Sequence, residues 1–307
     1  MSYHNPVLLH PSVDNLVTNP SGTYVDVTFG GGGHSRAILE KLTAGRLIAF
    51  DQDEDSHANL IEDERFQFVP SNFKNLTRFL QYYKAYPADG ILADLGISSH
   101  QIDTAERGFS YSKDGLLDMR MNAQSGISAK EVVNGYDEQQ LSRIFFTYGE
   151  LHEGRQLARQ ITRARADHNI ETTLQLVEAL KPSLPRGREN KYLSKIFQAL
   201  RIEVNHEMEV LESFLTQTVE ALKPGGRLVI IAYHSLEDRL VKNFMRSGNL
   251  SGEVEKDFFG NPLTPFKLVT RKAVAPDEDE IMMNPRARSA KLRVAEKIIV
   301  KANGLNN

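Results

Sequence analysis

The chain has 307 residues, of which 40% are hydrophobic and 25% charged, and its net charge at pH 7 is −3. It contains no cysteine, which excludes a disulfide scaffold, a thiolate metal site and a cysteine nucleophile. The length predicts one large domain or two ordinary ones, and the small net charge gives no sign of a polyanionic partner. With no apolar run approaching the roughly 20 residues of a membrane span, and no basic region before an apolar stretch at the N-terminus, we expect a cytoplasmic protein without a membrane partner.

The first hundred residues alternate short apolar strands with helical patterns. The strands are predicted at residues 24–27, 46–50, 66–69 and 90–93, with helices at 34–42 and 74–83. Such alternation is typical of a parallel sheet with helices on both faces. We therefore expect an α/β fold.

The alternation stops near residue 104. The following periodicity is helical, with helices predicted at residues 138–148, 155–166, 172–180 and 194–222. Lys-Pro-Gly-Gly at 223–226 is a helix stop, and strands are predicted after it at 227–232, 266–271 and 292–300. We interpret residues 1–104 and 201–307 as one α/β domain, interrupted by an all-helical domain at 105–200 that recognises the substrate.

Charge is distributed unevenly along the chain. Residues 1–100 hold 12 acidic and seven basic residues, 155–201 hold four and ten, and 284–307 hold one and six. The two basic segments indicate a phosphate-bearing partner that the total charge conceals. The candidate phosphate contacts, with a merely solvated face as the alternative, are Arg155, Arg159, Arg163 and Arg165 in the insert and Arg286, Arg288 and Arg293 near the C-terminus.

Four consecutive glycines, Gly30 to Gly33, follow the first strand and open a helix. Glycines permit a tight turn and let a ligand approach the backbone N–H groups, although a simple flexible turn would use them as well. Counted from Gly31, Arg36 stands where a dinucleotide fingerprint has its third glycine. This spacing disfavours a nicotinamide oxidoreductase.

Acidic residues close two of the predicted strands. Asp51 ends the second strand, where a carboxylate can accept hydrogen bonds from ribose hydroxyls or simply cap the next helix. Asp94 ends the fourth strand, and ligands of open α/β sheets gather at such ends. Phe73 is a candidate to flank an adenine ring, with a core aromatic as the alternative. Together with the glycine loop, these residues favour an adenosine ligand.

Long motifs stand in a fixed order along nearly the whole chain. They comprise HNPVLL at 4–9, the glycine loop, DGILADLGISS at 89–99, RGFS at 107–110, LLDMRM at 116–121, FQALRIEVN at 197–205, HSLEDR at 234–239 and NPRARSA at 284–290. In these motifs the chain resembles the bacterial ribosomal RNA small-subunit methyltransferase H family, also called MraW. It departs from the family pattern at His100, at residues 190–195 and at Tyr233, where the family usually has proline, a His-Pro-Ala-Thr stretch and phenylalanine.

The resemblance implies a Rossmann-like class I methyltransferase domain that uses S-adenosyl-L-methionine. It also implies methylation of the N4 amine of one cytidine in the decoding centre of 16S rRNA, within the small ribosomal subunit or its precursor. The oligomeric state is left open, with a homodimer as one possibility. Carried over by motif, the residues expected to bind the methyl donor are Gly32, Gly33, His34, Asp51, Phe73, Asp94 and Gln101.

The chemistry of this reaction points to a hydrogen-bond acceptor at the target amine. The lone pair of the amine is delocalised into the ring, so a group that accepts one N–H helps it react and can take the proton. We expect Asp94 to serve as this catalytic residue. His234 and Ser235 are further candidates that bind the unstacked base or a phosphate, unless Ser235 only caps a helix. No His/Asp/Glu spacing is typical of a metal site.

Two other functions remain open at this point. A methyltransferase of the same fold can act on DNA or protein, and a non-catalytic module can bind the adenosine ligand or RNA. The complete glycine loop and Asp94 favour catalysis over the second alternative.

Overall fold

The computed structural model describes residues 6–299. The chain divides into two compact units: the α/β unit comprises the chain up to Gly96 and from Glu209 onward, and the helical unit is Ile97–Met208. The predicted junctions at 104 and 201 differ from these because Ile97 and Val204 pack in the apolar core of the helical unit.

Within the described residues, the α/β unit contains a seven-stranded sheet in the order β3-β2-β1-β4-β5-β7-β6. The strands are β1 (Thr23–Asp26), β2 (Arg46–Asp51), β3 (Phe66–Pro70), β4 (Ala88–Asp94), β5 (Leu222–Ala232), β6 (Phe266–Leu268) and β7 (Lys291–Lys297). Strands β1 to β5 are parallel, and β7 is antiparallel to both β5 and β6. The predicted α/β fold is thus confirmed; residue 300, the predicted end of the last strand, lies outside the described residues.

Twelve α-helices occur between residues 6 and 299. They are α1 (Leu9–Leu16), α2 (Gly33–Lys41), α3 (Leu76–Tyr82), α4 (Ser99–Asp103), α5 (Ala129–Gly135), α6 (Glu138–Thr147), α7 (Gly154–Ala164), α8 (Thr173–Leu180), α9 (Glu189–Asn205), α10 (Glu207–Ala221), α11 (Ser235–Ser247) and α12 (Glu278–Met283). In this part of the chain no helix combines the length and the apolar composition that crossing a membrane requires.

The sheet is covered on both faces because its buried strands present apolar side chains to either side in turn. Ile48 and Ile91 belong to one apolar cluster, which α3, α10 and α11 cover. Leu47 and Leu92 belong to the opposite cluster, which α1 and α2 cover. The strands are therefore held rigidly, and so are the residues at their ends.

The order of the strands creates a natural binding edge. From β1 the chain adds β2 and β3 on one side, and then continues with β4 and β5 on the other side. Ligands of open α/β sheets bind outside the carboxyl ends of the strands at such a reversal. The loop Gly30 to Gly33 leaves β1 at this edge, and Asp94 ends β4 there.

The helical unit has its own apolar core. Helix α7 shows why: Leu157, Ala158 and Ile161 are fully buried, whereas Arg155 and Arg159 lie on the opposite, exposed side. The three helices predicted between residues 138 and 180 are confirmed.

The single helix predicted over 194–222 is wrong. The segment forms α9 and α10, separated by His206, whose φ of 51° lies in the left-handed region and ends α9. Strand β5 also begins earlier than predicted, since Leu222 pairs with Ala88 and an irregularity in the register follows before Arg227 pairs with Gly90.

Candidate functional site

The glycine loop is shaped by backbone conformation and by a close contact. Gly30 and Gly32 have φ values of 50° and 74°, which other residues adopt at a cost. A Cβ atom on Gly33 would lie 2.2 Å from Cγ of Pro6. Helix α2 begins at Gly33, so the N–H groups of its first turn face the loop. The loop is thus a tightly packed cradle at the start of α2 that added side chains would distort, and its N–H groups at Gly30 and Gly32 already bond to Asp51 and Phe29.

Asp51 joins this loop to the end of β2. Its Oδ2 accepts a hydrogen bond from the N–H of Gly30 at 2.7 Å, and its Oδ1 accepts one from Asp53 at 2.9 Å. Burial raises the pKa of Asp51 to about 6. Each carboxylate oxygen has two lone pairs, so Asp51 keeps capacity for hydroxyl donors while it holds the loop.

Asp94 is held by three neighbouring elements. Its Oδ1 accepts a hydrogen bond from the hydroxyl of Tyr233 at 2.8 Å, and its backbone N–H donates to Oγ1 of Thr28 at 2.7 Å. Its Oδ2 lies 3.7 Å from Nδ1 of His34. Burial raises the pKa of Asp94 to about 7, to which the carboxylates of Asp26 and Glu237 also contribute. Near neutral pH the group is therefore poised to hold or release a proton.

A buried network below the loop was missed at the sequence level. Asp26, at the end of β1, accepts hydrogen bonds from the hydroxyl of Ser35 at 2.7 Å and from the N–H of Thr28 at 3.1 Å. Since Thr28 also bonds to Asp94, the network joins β1, α2 and β4. The signal was present, because Asp26 ends a parallel strand just as Asp51 and Asp94 do.

His34 contributes its backbone to the loop and its ring to the interior. The residue is 5% exposed, and Nε2 lies 3.2 Å from the carbonyl oxygen of Val7. Burial lowers the pKa of His34 to about 4, so the ring is neutral at pH 7. We infer that the proton sits on Nε2 and that the lone pair of Nδ1 faces Asp94. The expected ligand contact of His34 is therefore through its N–H and not its imidazole.

Phe73 and Gln101 have structural contacts of their own. Phe73 is half-buried at the start of a short helix, with its ring 5.2 Å from that of Phe214. Gln101 is buried in the helical unit, where its side chain accepts a hydrogen bond from the N–H of Ser98 and closes a capping box on α4. The structure thus accounts for Gln101 by a helix cap and gathers the other predicted donor-binding residues within the α/β unit.

His234 has a structural contact of its own, and its catalytic role stays a prediction. His234 caps α11: its Nδ1 accepts from the N–H of Glu237 at 3.4 Å, and Nε2 lies 3.1 Å from the Glu237 carboxylate. The cap is His234 and not Ser235, which is the exposed first residue of the helix. Only 7% of its side chain is exposed, and Nε2 is buried without a hydrogen bond in the described residues.

Three arginines form an exposed face on α7. Arg155, Arg159 and Arg163 stand four residues apart and share one side of the helix. The side chains of Arg155 and Arg159 are 80% and 51% exposed, and each lies within 3.7 Å of Glu138. Arg165 is partly buried, and its guanidinium donates to the carbonyl of Val133 at 2.5 Å.

The C-terminal arginines also separate into two kinds. Arg286 and Arg288 are exposed on the short helix Pro285–Ser289. Arg293 is 13% exposed and pairs with Asp238 at 2.7 Å, so this side chain stabilises the fold.

An open groove between α6 and α7 was not predicted. It has a volume of about 610 Å³ and is lined by Arg143, Phe146, His152 and Arg155 among others. The ring of Phe146 is 61% exposed and lies 6.2 Å from that of His152. Helical periodicity alone predicts a phenylalanine to lie in the core, so no sequence pattern indicated its exposure.

Known proteins resemble this chain over nearly its whole length. A family model described as the MraW methylase family matches residues 1–298. A protein of Bacteroides fragilis called Ribosomal RNA small subunit methyltransferase H is 59% identical over 297 residues, which are 96% of this chain and 98% of that protein. Its namesake from Flavobacterium johnsoniae is 56% identical over 299 residues, or 97% and 99% of the two chains. The crystal structure of NSun6 from Pyrococcus horikoshii with SFG aligns with 96% of this chain and 53% of its own, at 13% identity and a TM-score of 0.45. The likeness in sequence therefore includes both units.

Proposed function

The chain belongs to the MraW methylase family, and we propose that it is an S-adenosyl-L-methionine-dependent enzyme that methylates the N4 amine of one cytidine in 16S rRNA. Relatives named Ribosomal RNA small subunit methyltransferase H match it at 56–59% identity over nearly the whole chain. The observation that carries the proposal is the meeting of the glycine loop, Asp51 and Asp94 at the reversal point of the sheet.

The loop residues fit a methyl donor that contains adenosine. Gly32 gives the loop its tight left-handed turn, Gly33 begins the helix whose first-turn N–H groups can face a ligand, and Asp51 offers carboxylate lone pairs to the ribose hydroxyls. Phe73 supplies an apolar surface for the adenine ring. When bound, the donor supplies an electrophilic methyl group on a sulfonium. The protein has only to bind it and fix its direction.

Asp94 is the residue proposed to meet the target amine. Its ionised carboxylate accepts a hydrogen bond from one N–H, which turns the nitrogen lone pair toward the methyl group. As the C–N bond forms and the C–S bond breaks, the amine becomes cationic and its proton passes to the carboxylate. Because the sulfonium is already reactive, alignment contributes more than proton transfer.

The RNA is proposed to bind through exposed positive charge. Arg155, Arg159 and Arg163 on α7 are the candidate phosphate contacts of the helical unit, while Ser235, Arg286 and Arg288 are those of the α/β unit. The cytidine must leave its stack to reach the buried carboxylate of Asp94. We place this reaction in the cytoplasm, on the small ribosomal subunit or its precursor.

The decisive experiment follows the methyl group. Purified protein is incubated with tritiated donor and, separately, with small ribosomal subunits from a strain that lacks the enzyme, with duplex DNA and with a protein extract. We expect label in the RNA alone, released as N4-methylcytidine on digestion to nucleosides. Label in DNA or protein would identify the alternative substrates. Donor binding without transfer to any of them would indicate a non-catalytic module.

A further inference from the structure

The hydroxyl of Tyr233 donates a hydrogen bond to Oδ1 of Asp94 at 2.8 Å. We infer that Tyr233 is a positioning residue for methyl transfer, which holds the Asp94 carboxylate in one orientation and in its ionised form. This inference rests on the proposed catalytic role of Asp94. It assigns to Tyr233 a function that the ring of a phenylalanine would not perform.

The backbone around Tyr233 keeps its ring in place. Tyr233 follows β5 directly, and its N–H donates to Oε2 of Glu237 at 2.9 Å. The neighbouring strand ends are joined, since the N–H of Leu95 donates to the carbonyl of Ile231 at 2.9 Å. Gly96, with a φ of 94°, packs beside the ring, because a Cβ there would lie 3.6 Å from Cδ2 of Tyr233. The hydroxyl is therefore aimed at Asp94 by fixed elements.

The electrostatic surroundings show what the hydroxyl does. Asp26 on β1 and Glu237 on α11 are acidic, and His34 on α2 is neutral. Burial and the two carboxylates raise the pKa of Asp94, whereas the hydrogen bond from Tyr233 lowers it. Among the described groups that act on Asp94, the phenol thus opposes the rest and favours the charged form.

Tyr233 stays a proton donor throughout the working range of pH. Burial raises its pKa well above 10, and Asp94, Glu237 and Glu280 on α12 add to this effect. A phenol that keeps its proton does not act as a base. Its contribution is the hydrogen bond alone, so removal of one oxygen atom tests it.

The test is the pH dependence of single-turnover methylation by Tyr233→Phe between pH 6 and pH 9. Loss of a hydrogen bond to the charged form raises the pKa of Asp94. The acidic limb of the curve of rate against pH should therefore move to higher pH by about one unit. At pH 6.5 the variant should be roughly tenfold slower than the parent protein, and at pH 9 nearly equal to it. The KM values for donor and RNA should not change.

Tyr24→Phe is the matched control. Tyr24 is fully buried in the same unit. Its hydroxyl accepts a hydrogen bond from the N–H of Asn19 at 2.9 Å and donates one to the carbonyl oxygen of Asn19 at 3.0 Å. This variant loses a buried hydroxyl without contact to Asp94, so its pH profile should coincide with that of the parent protein. A direct readout is the titration of the Asp94 side-chain carbon by NMR, with the signal identified by its absence in Asp94→Asn.

Three results would overturn the inference or its basis. An unmoved acidic limb in Tyr233→Phe, or a rate lowered equally at every pH, would show that the hydroxyl does not control Asp94. An unchanged NMR titration would show the same without reference to activity. If Asp94→Asn methylates at the parent rate, the proposed role of Asp94 fails; if it is inactive and only the Tyr233 tests fail, the proposed function stands.

Discussion

The carboxyl edge of the sheet and the exposed face of α7 hold their charges in opposite ways. At the edge, Asp26 is buried, Asp51 and Asp94 are partly buried, and all three are fixed by hydrogen bonds from neighbouring elements. On α7, Arg155 and Arg159 are exposed and lie beside one glutamate at 3.6 to 3.7 Å. The function of the carboxylates at the edge depends on the position of each atom, whereas that of the arginines on α7 depends on their total charge. Single substitutions should therefore act very differently in the two regions.

The largest effect is expected at the edge, from Asp94→Asn. Without the carboxylate the amine proton has no acceptor, so turnover should fall by about a thousandfold while donor binding persists. Asp89→Asn is the control on the same strand, because Asp89 binds the N–H of Thr23 and the ammonium of Lys223 at 2.7 Å each. Single-turnover rates and donor titrations measure both. An equal loss of rate in the two variants would contradict the assignment.

The second effect contrasts a glycine at the edge with a glycine in the helical unit. Gly33→Ala places a methyl group into Pro6, so the loop must shift and donor affinity should fall by about tenfold or more. Gly135→Ala in α5 meets no atom within 4 Å and should leave affinity unchanged while stabilising the helix slightly. Isothermal titration with the donor compares them. Wild-type affinity in Gly33→Ala would show that the loop is not the donor cradle.

The third effect concerns stability at the edge. The folded-state pKa of Asp94 is raised from 3.8 to about 7, so the folded protein binds this proton more tightly than the unfolded chain. Stability from this group is present at low pH and is lost as the pH rises from about 4 through 7. Asp94→Asn should thus be more stable than the parent at pH 8 by about 2 kcal/mol, a figure reduced for the 23% exposure of the side chain. Urea unfolding at pH 8 and pH 4 measures this, and a gain of the same size at both values would refute it.

The smallest effects belong to α7. Arg155→Ala and Arg159→Ala should each weaken RNA binding several-fold and lower the salt dependence by about one ion, with kcat unchanged. Lys41→Ala, which removes a half-exposed base bound to Asp14 in the α/β unit, is the control. Binding measured between 50 and 200 mM salt tests the pair. A loss of kcat in the α7 variants would remove the contrast between the two regions.

The sequence predicted the first four strands of the α/β unit and the acidic ends of β2 and β4 because these patterns are local. Asp51 and Asp94 were found since carboxyl ends of parallel strands share an edge. The contact of Tyr233 with Asp94 joins residues 139 positions apart and depends on β5 lying beside β4. The pairing of Arg293 with Asp238 spans 55 positions and was likewise beyond a local pattern.

Two other differences come from local geometry that residue types do not specify. His206 adopts a left-handed conformation, which pattern reasoning assigns to glycine or asparagine, so the break between α9 and α10 was missed. His234 caps α11 in place of the serine that follows it, because the Glu237 carboxylate in turn accepts a hydrogen bond from the N–H of His234. In both cases the residue that ends or caps the helix is not the residue type that sequence preferences favour at that position.

The position of the helical unit in the chain has a consequence for folding. Strands β4 and β5 are neighbours in the sheet, but the whole of Ile97–Met208 separates them in sequence. Contacts between residues so distant form slowly, because a long loop must close first. During synthesis the first four strands emerge together with the glycine loop and Asp94, while Tyr233 follows only after the helical unit. A ribosome-bound chain therefore exposes every residue of its donor cradle well before Tyr233, the partner of Asp94, is synthesised.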